Sequence, residues 1–93
     1  MDMHEVRDNP EMRRYELTVD GRVIGIADYV RTGDVLVLPH TVIEPSKRGR
    51  GWGEVLVRAA LDDISRQRLR IAPQCWFVAE FVGLNPEYGA LVA

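Results

Sequence analysis

The sequence predicts an α+β domain: a mixed, mostly antiparallel sheet with one crossover helix and a short C-terminal helix. Three observations predict it. Residues 14–19 alternate polar and apolar, the period of a half-buried strand, and Asp20-Gly21 follows as a two-residue hairpin signal. An apolar run over residues 35–43 leads into a short turn rich in glycine and arginine. Beyond that turn, residues 53–68 place apolar side chains at helical spacing.

Taken in order, residues 3–7 suit a short opening strand, broken by Asn9-Pro10. Tyr15, Leu17 and Val19 share one face of the second strand. The hairpin returns as a third strand over residues 23–30, where Gly25 suits a bulge. Thr32-Gly33-Asp34 turns the chain into a strand over residues 35–43. In the helix of residues 53–68, Val57, Leu61 and Ile64 form one apolar row and Leu56, Ala60 and Ile64 a second. Glu54 in its first turn and Arg66 and Arg68 near its end suit the helix dipole. Asp62, Asp63, Arg66 and Gln67 read as its solvated face. Residues 69–74 fit a short strand ended by Pro73, so the helix crosses over between parallel strands. Residues 77–82 suggest a second helix, stopped by Gly83 and Asn85-Pro86.

Composition narrows the function classes. At 93 residues, 46% hydrophobic and 28% charged, the chain reads as one ordinary globular domain. A net charge of −2 makes the basic turn a local feature, which argues against a nucleic-acid or membrane-surface role. No apolar run is long enough to span a membrane. The charged start, Met1-Asp2-Met3-His4-Glu5, lacks the apolar core of a signal peptide. One cysteine cannot form an internal disulfide, and His4, His40 and Cys75 lack metal-ligand spacing. A cytoplasmic setting is the expectation, as a monomer or a homodimer.

The segment from Pro45 to Gly53 carries the functional signal. A strand, a glycine-rich basic turn and a helix start together offer unpaired N–H groups and a partial positive charge. Glycines let the backbone lie close to a ligand, and Lys47, Arg48 and Arg50 add charge at the rim. The ligand such a turn suits is a phosphate or pyrophosphate. The P-loop pattern fails, because Glu54 and Val55 stand where lysine and Ser/Thr are needed. The dinucleotide pattern fails too, because Gly49, Gly51 and Gly53 are spaced G-x-G-x-G. A disordered RNA-binding tract would be longer.

The spacing that fits is R-x-x-G-x-G, at Arg48, Gly51 and Gly53. It resembles the acetyl-CoA pyrophosphate loop of the GNAT superfamily of N-acetyltransferases. Val42-Ile43-Glu44-Pro45 before it, Ala59-Ala60-Leu61-Asp62 in the helix, Pro73-Gln74-Cys75-Trp76-Phe77-Val78 and the ending Asn85-Pro86-Glu87-Tyr88 are similar to a minimal, short-chain branch of that superfamily. The similarity spans residues 14–90. It implies an acetyl-CoA site formed by Ile43, Arg48, Gly49, Arg50, Gly51, Trp52 and Gly53. It also implies a gap between two splayed parallel strands for the pantetheine arm. The implied activity is acetyl transfer to a small amine or a protein lysine, or else a CoA-binding module that acts as a sensor or adaptor. With only about six residues, 8–13, between the first strands, the elaborated acceptor pocket of larger members is not expected.

Acetyl transfer needs a deprotonated amine, a polarised thioester carbonyl and a proton for the leaving thiolate. Strand N–H groups ahead of the loop can polarise the carbonyl. Cys75, just after the fifth-strand segment, is a candidate acid or acetyl carrier; its alternative is a small core residue. His40 is a candidate base near neutral pH, and Glu44 a base acting through water. Many GNAT enzymes use a tyrosine on the last helix as acid, and residues 81–83 hold none. Tyr88 reads as a packing residue. Trp52 either packs on the sheet, the favoured reading, or covers the cofactor.

Overall fold

The computed structural model describes residues 3–93; Met1 and Asp2, the first two residues of the charged start, lie outside the described residues. The strands are β1 (His4–Asn9), β2 (Arg14–Val19), β3 (Arg22–Asp28), β4 (Val30–Thr32), β5 (Val35–Val37), β6 (Thr41–Ile43) and β7 (Arg70–Ala72). The helices are α1 (Trp52–Arg66) and α2 (Trp76–Leu84), with 3-10 turns at Pro45–Lys47 and Pro86–Leu91. Antiparallel pairings dominate. A four-stranded sheet runs β1-β2-β3-β6 and a three-stranded sheet runs β4-β5-β7. The parallel pair β5 and β7 is joined through α1, so the expected crossover is present.

Local chemistry explains the regular parts. Asp20 (φ 50°) and Gly21 (φ 83°) both take positive φ, the type I′ geometry that matches strand twist. The β2–β3 register shifts between Leu17 and Thr18, leaving Ile24 unpaired beside Gly25, which is the expected bulge. β1 runs two residues beyond its expected end, because its ladder to β2 continues to Asn9↔Arg14. Asn9 then caps the turn by accepting from the Met12 amide at 3.2 Å.

Two expected strands are each split. Residues 23–30 divide at Tyr29 into β3 and β4, and residues 35–43 divide at Leu38-Pro39-His40 into β5 and β6. The reason lies in partner exchange. β5 pairs with β4 and β7, whereas β6 pairs with β3 alone. Pro39 has no N–H to keep a ladder going across the break. Asp28 N–H donating to His40 O at 3.0 Å, and Leu38 N–H to Ala72 O at 3.0 Å, carry the sheet through the break on either side.

α1 lays its buried row, Leu56, Val57, Ala60, Leu61 and Ile64, against Tyr15, Leu17 and Ile24 of the four-stranded sheet. The expected solvated face of α1 needs correction. Asp62 accepts from the Tyr88 hydroxyl and Asp63 from the Tyr15 hydroxyl, each at 2.7 Å. Buried phenols require partners for their hydroxyls, so these two carboxylates staple α1 to β2 and to the C-terminal turn. α2 starts one residue earlier and ends two later than the sequence suggests. The chain end lies beside β7, where Ala93 N–H donates to Ile71 O at 2.9 Å. Among the described residues, no helix is long and apolar enough to cross a membrane.

Candidate functional site

The site grows out of the break between β5 and β6. β5 stays paired with β7, while β6 turns away from the chain that follows β7. A cleft of about 620 Å³ opens between them. One wall is Thr41, Val42 and Ile43; the other is Cys75, Trp76 and Phe77; the basic loop and the start of α1 close one end. This is the gap that the resemblance implied.

Register decides which backbone groups face it. In the β3–β6 ladder Gly25 opposes Ile43, Ile26 opposes Val42 and Ala27 opposes Thr41. Glu44 N–H donates to Ile24 O at 2.7 Å and Asp28 N–H to His40 O at 3.0 Å. Hydrogen-bonded pairs alternate along an antiparallel ladder. The N–H groups of Thr41 and Ile43 therefore point away from β3, towards the cleft side where β6 has no neighbouring strand.

The loop supplies a second set of donors. Gly51 is the N-cap of α1 at φ 82° and offers no side-chain cap. That positive φ strains any side-chain-bearing residue, which explains a glycine there. Among the described residues, the amides of Gly49, Arg50, Gly51, Trp52, Gly53 and Glu54 donate to no backbone oxygen. Lys47 and Arg48 line the cleft beside them. Arg48 donates its Nε to Ile43 O at 3.0 Å, which pins the loop to β6 and leaves its terminal nitrogens free. This donor set suits a pyrophosphate. Gly53 has a separate reason. A Cβ there would sit 2.8 Å from Phe77 Cζ, so the glycine lets α1 approach α2. Trp52 lines the cleft and also packs edge-on against His4, with ring centroids 5.4 Å apart.

Cys75 is buried at the N-cap of α2 and faces Thr41, Sγ to Oγ1 3.6 Å. Burial alone would push the thiol up. The Val78 amide, the Thr41 hydroxyl and the Phe77 amide outweigh it, and the thiol lies below its ordinary value. Its own amide donates to Leu38 O at 2.9 Å, which fixes it at the apex of the cleft.

The other two candidate catalytic residues do not line the cleft. His40 sits on the strand break, its side chain 72% exposed, with Nδ1 3.8 Å from Asp28 Oδ2. Glu44 is ion-paired with Arg22 and accepts from Ser46 Oγ at 3.1 Å. Arg50 lies beyond the cleft lining but within the loop of free amides. Sequence reasoning missed Thr41 as the Cys75 partner and Trp76 and Phe77 as a wall. The alternation that puts Thr41 on the same face as Ile43 was the available signal. Tyr88 is 8% exposed, outside the cleft lining and bonded to Asp62 and Arg58.

Comparison with known proteins agrees with this geometry. The sequence profile of the GCN5-related N-acetyl-transferase family matches residues 14–91. Protein NATD1 of Bos taurus is 33% identical over 86 residues, covering 87% of this chain and 75% of the relative. Protein NATD1 of Homo sapiens is 30% identical over 86 residues, covering 87% and 75%. Among solved structures, the ribosomal-protein-S18-alanine N-acetyltransferase of Escherichia coli superposes with a TM-score of 0.65 at 14% identity, over 90% of this chain and 76% of that one. That likeness is one of fold. A profile match over residues 14–91, most of the length, makes this chain a member of the GCN5-related N-acetyl-transferase family.

Proposed function

We propose that this chain is an acetyl-CoA-dependent N-acetyltransferase acting on a small amine or an exposed lysine. The observation that carries the reading is the cleft itself, with free loop amides at one end and the Cys75 thiol at its apex. The thioester supplies the acetyl group: a carbon–nitrogen bond forms as the carbon–sulfur bond breaks, nitrogen loses a proton to water in the open cleft and the departing sulfur gains one from Cys75. In this reading the amides of residues 49–54, with Lys47, Arg48 and Arg50, hold the pyrophosphate. The Thr41 and Ile43 amides hydrogen-bond along the pantetheine side and polarise the carbonyl. The Cys75 thiol, lowered by Val78, Thr41 and Phe77, gives its proton to the departing sulfur and recovers one from solvent through the open cleft.

A second reading, a CoA-binding module with little turnover, is favoured by one observation. No tyrosine lies on the cleft side of α2, and Tyr88 is held by Asp62 instead. Native mass spectrometry with acetyl-CoA tests both, because it reads binding, stoichiometry and any acetyl adduct on Cys75. Thiol release over a panel of amines and lysine peptides then reads turnover. Arg48→Ala and Arg50→Ala should each weaken binding by about 1–2 kcal/mol, as for a charge-assisted hydrogen bond, and binding should weaken with salt. Failure of the wild type to bind acetyl-CoA would overturn both readings.

A further inference from the structure

A second concavity lies at the opposite end of α1. This groove, of about 510 Å³, shares no lining residue with the cleft. Its size lies within the range of small-molecule sites, roughly 300–1,000 Å³. Its floor is Tyr15, Tyr29 and Leu36; the two rings lie 5.6 Å apart, and Tyr15 and Leu36 are buried. Both phenols are fixed as donors. Tyr15 gives its proton to Asp63 at 2.7 Å and Tyr29 gives its proton to Asp8 at 2.6 Å. Burial, reinforced by these carboxylates, raises both phenols well above their ordinary range, so they stay neutral.

The rim carries charged atoms that the fold leaves unpaired. Arg7, Arg14, Arg22, Arg58 and Arg66 each have a carboxylate partner. Arg13 has none among the described residues. Arg31 uses only Nε, donating to Gly33 O at 2.8 Å, which leaves both terminal nitrogens free. Asp8 keeps Oδ2 free while Oδ1 accepts from Tyr29. Two free guanidinium groups alone would suit any anion. Asp8, on the same lining, opposes a simple anion and favours a ligand that also carries a cation. An apolar, aromatic floor between the charges asks for a hydrophobic body.

We propose that this groove binds a zwitterionic amino acid with an apolar or aromatic side chain. Its carboxylate sits on Arg13 and Arg31, its ammonium on Asp8 and its side chain over Tyr29 and the exposed Val30, with Tyr15 and Leu36 closing the floor beneath. The guanidinium fork is the natural partner of a carboxylate. The site is separate from the cleft and stands whether or not the chain transfers acetyl groups.

The test is a titration of the full chain with L-phenylalanine, followed by backbone amide shifts in NMR. The analogues 3-phenylpropanoate, which lacks the ammonium, and 2-phenylethylamine, which lacks the carboxylate, run in parallel. Shifts should cluster at Asp8, Tyr29, Arg31 and Gln67, and both analogues should bind more weakly. Arg13→Ala, Arg31→Ala and Asp8→Asn should each weaken binding about tenfold, the loss of one charge-assisted contact. All three positions are exposed, and the same spectra report whether each variant is folded. Acetyl-CoA should not compete. The proposal is overturned by no shift at about 10 mM phenylalanine, by equal binding of 3-phenylpropanoate, by indifference to the three substitutions, or by displacement with CoA.

Discussion

Tyr88→Phe separates a structural tyrosine from a catalytic one. The substitution deletes only the hydroxyl, so the ring keeps its contact with Phe81, centroids 5.5 Å apart, and its place under Arg58. Burial, then the hydrogen bond to Asp62, raises the phenol above its ordinary value, so it is a donor throughout the neutral range. What is lost is the 2.7 Å bond to the Asp62 carboxylate and the 3.3 Å bond from Arg58. A hydrogen bond to a charged group contributes about 1.5–3 kcal/mol. Asp62 is half-exposed and water replaces part of the bond, so the lower figure, about 1.5 kcal/mol, applies. In a domain of this size each kcal/mol shifts Tm by about 4–8 °C, giving an expected drop of about 6–12 °C. The assay is thermal unfolding by circular dichroism, with acetyl-CoA affinity measured on the same samples well below Tm. Affinity and any turnover should be unchanged. Asp62→Asn and the double variant complete a cycle, in which the second substitution should cost little after the first. An unchanged Tm together with abolished turnover would refute the reasoning and make Tyr88 the acid.

The remaining predictions concern the cleft. Gly51→Val should sharply weaken acetyl-CoA binding by calorimetry, because a β-branched residue at φ 82° is strained by more than about 1–2 kcal/mol and the loop must open to relieve it; equal affinity would remove the loop from the site. Cys75→Ser should keep the fold and CoA binding and lose most turnover, since a hydroxyl is a far poorer acid; full retention of turnover would end the proposed role. Thr41→Val should raise the Cys75 pKa, because a hydroxyl donated to the thiolate favours the charged form and the methyl group cannot replace it. Thiolate ultraviolet absorbance against pH would then move its midpoint upward, and an unmoved midpoint would exclude the contact.

Local rules made much of this chain legible before its structure. Two-residue alternation sufficed for β2, the Asp20-Gly21 pair for the hairpin, and apolar spacing for α1, because each depends on neighbours within one element. The anion-suited loop was legible for the same reason, since a glycine-rich turn at a helix start is a contiguous signal. Other features were decided only by tertiary packing. Residues 35–43 form one apolar run, yet the chain exchanges partners at Pro39, and periodicity says nothing about which strand lies alongside. That exchange opens the cleft. Asp62 and Asp63 match a solvated helix face in spacing, but two buried phenols from elsewhere in the chain need acceptors there. Glu44 is taken up by Arg22, and Gly53 answers to Phe77. Cys75 meets Thr41 across 34 residues of sequence because β5 holds β7 while β6 follows β3. Contacts across such separations are set by the summed packing of the whole core, which no local pattern encodes.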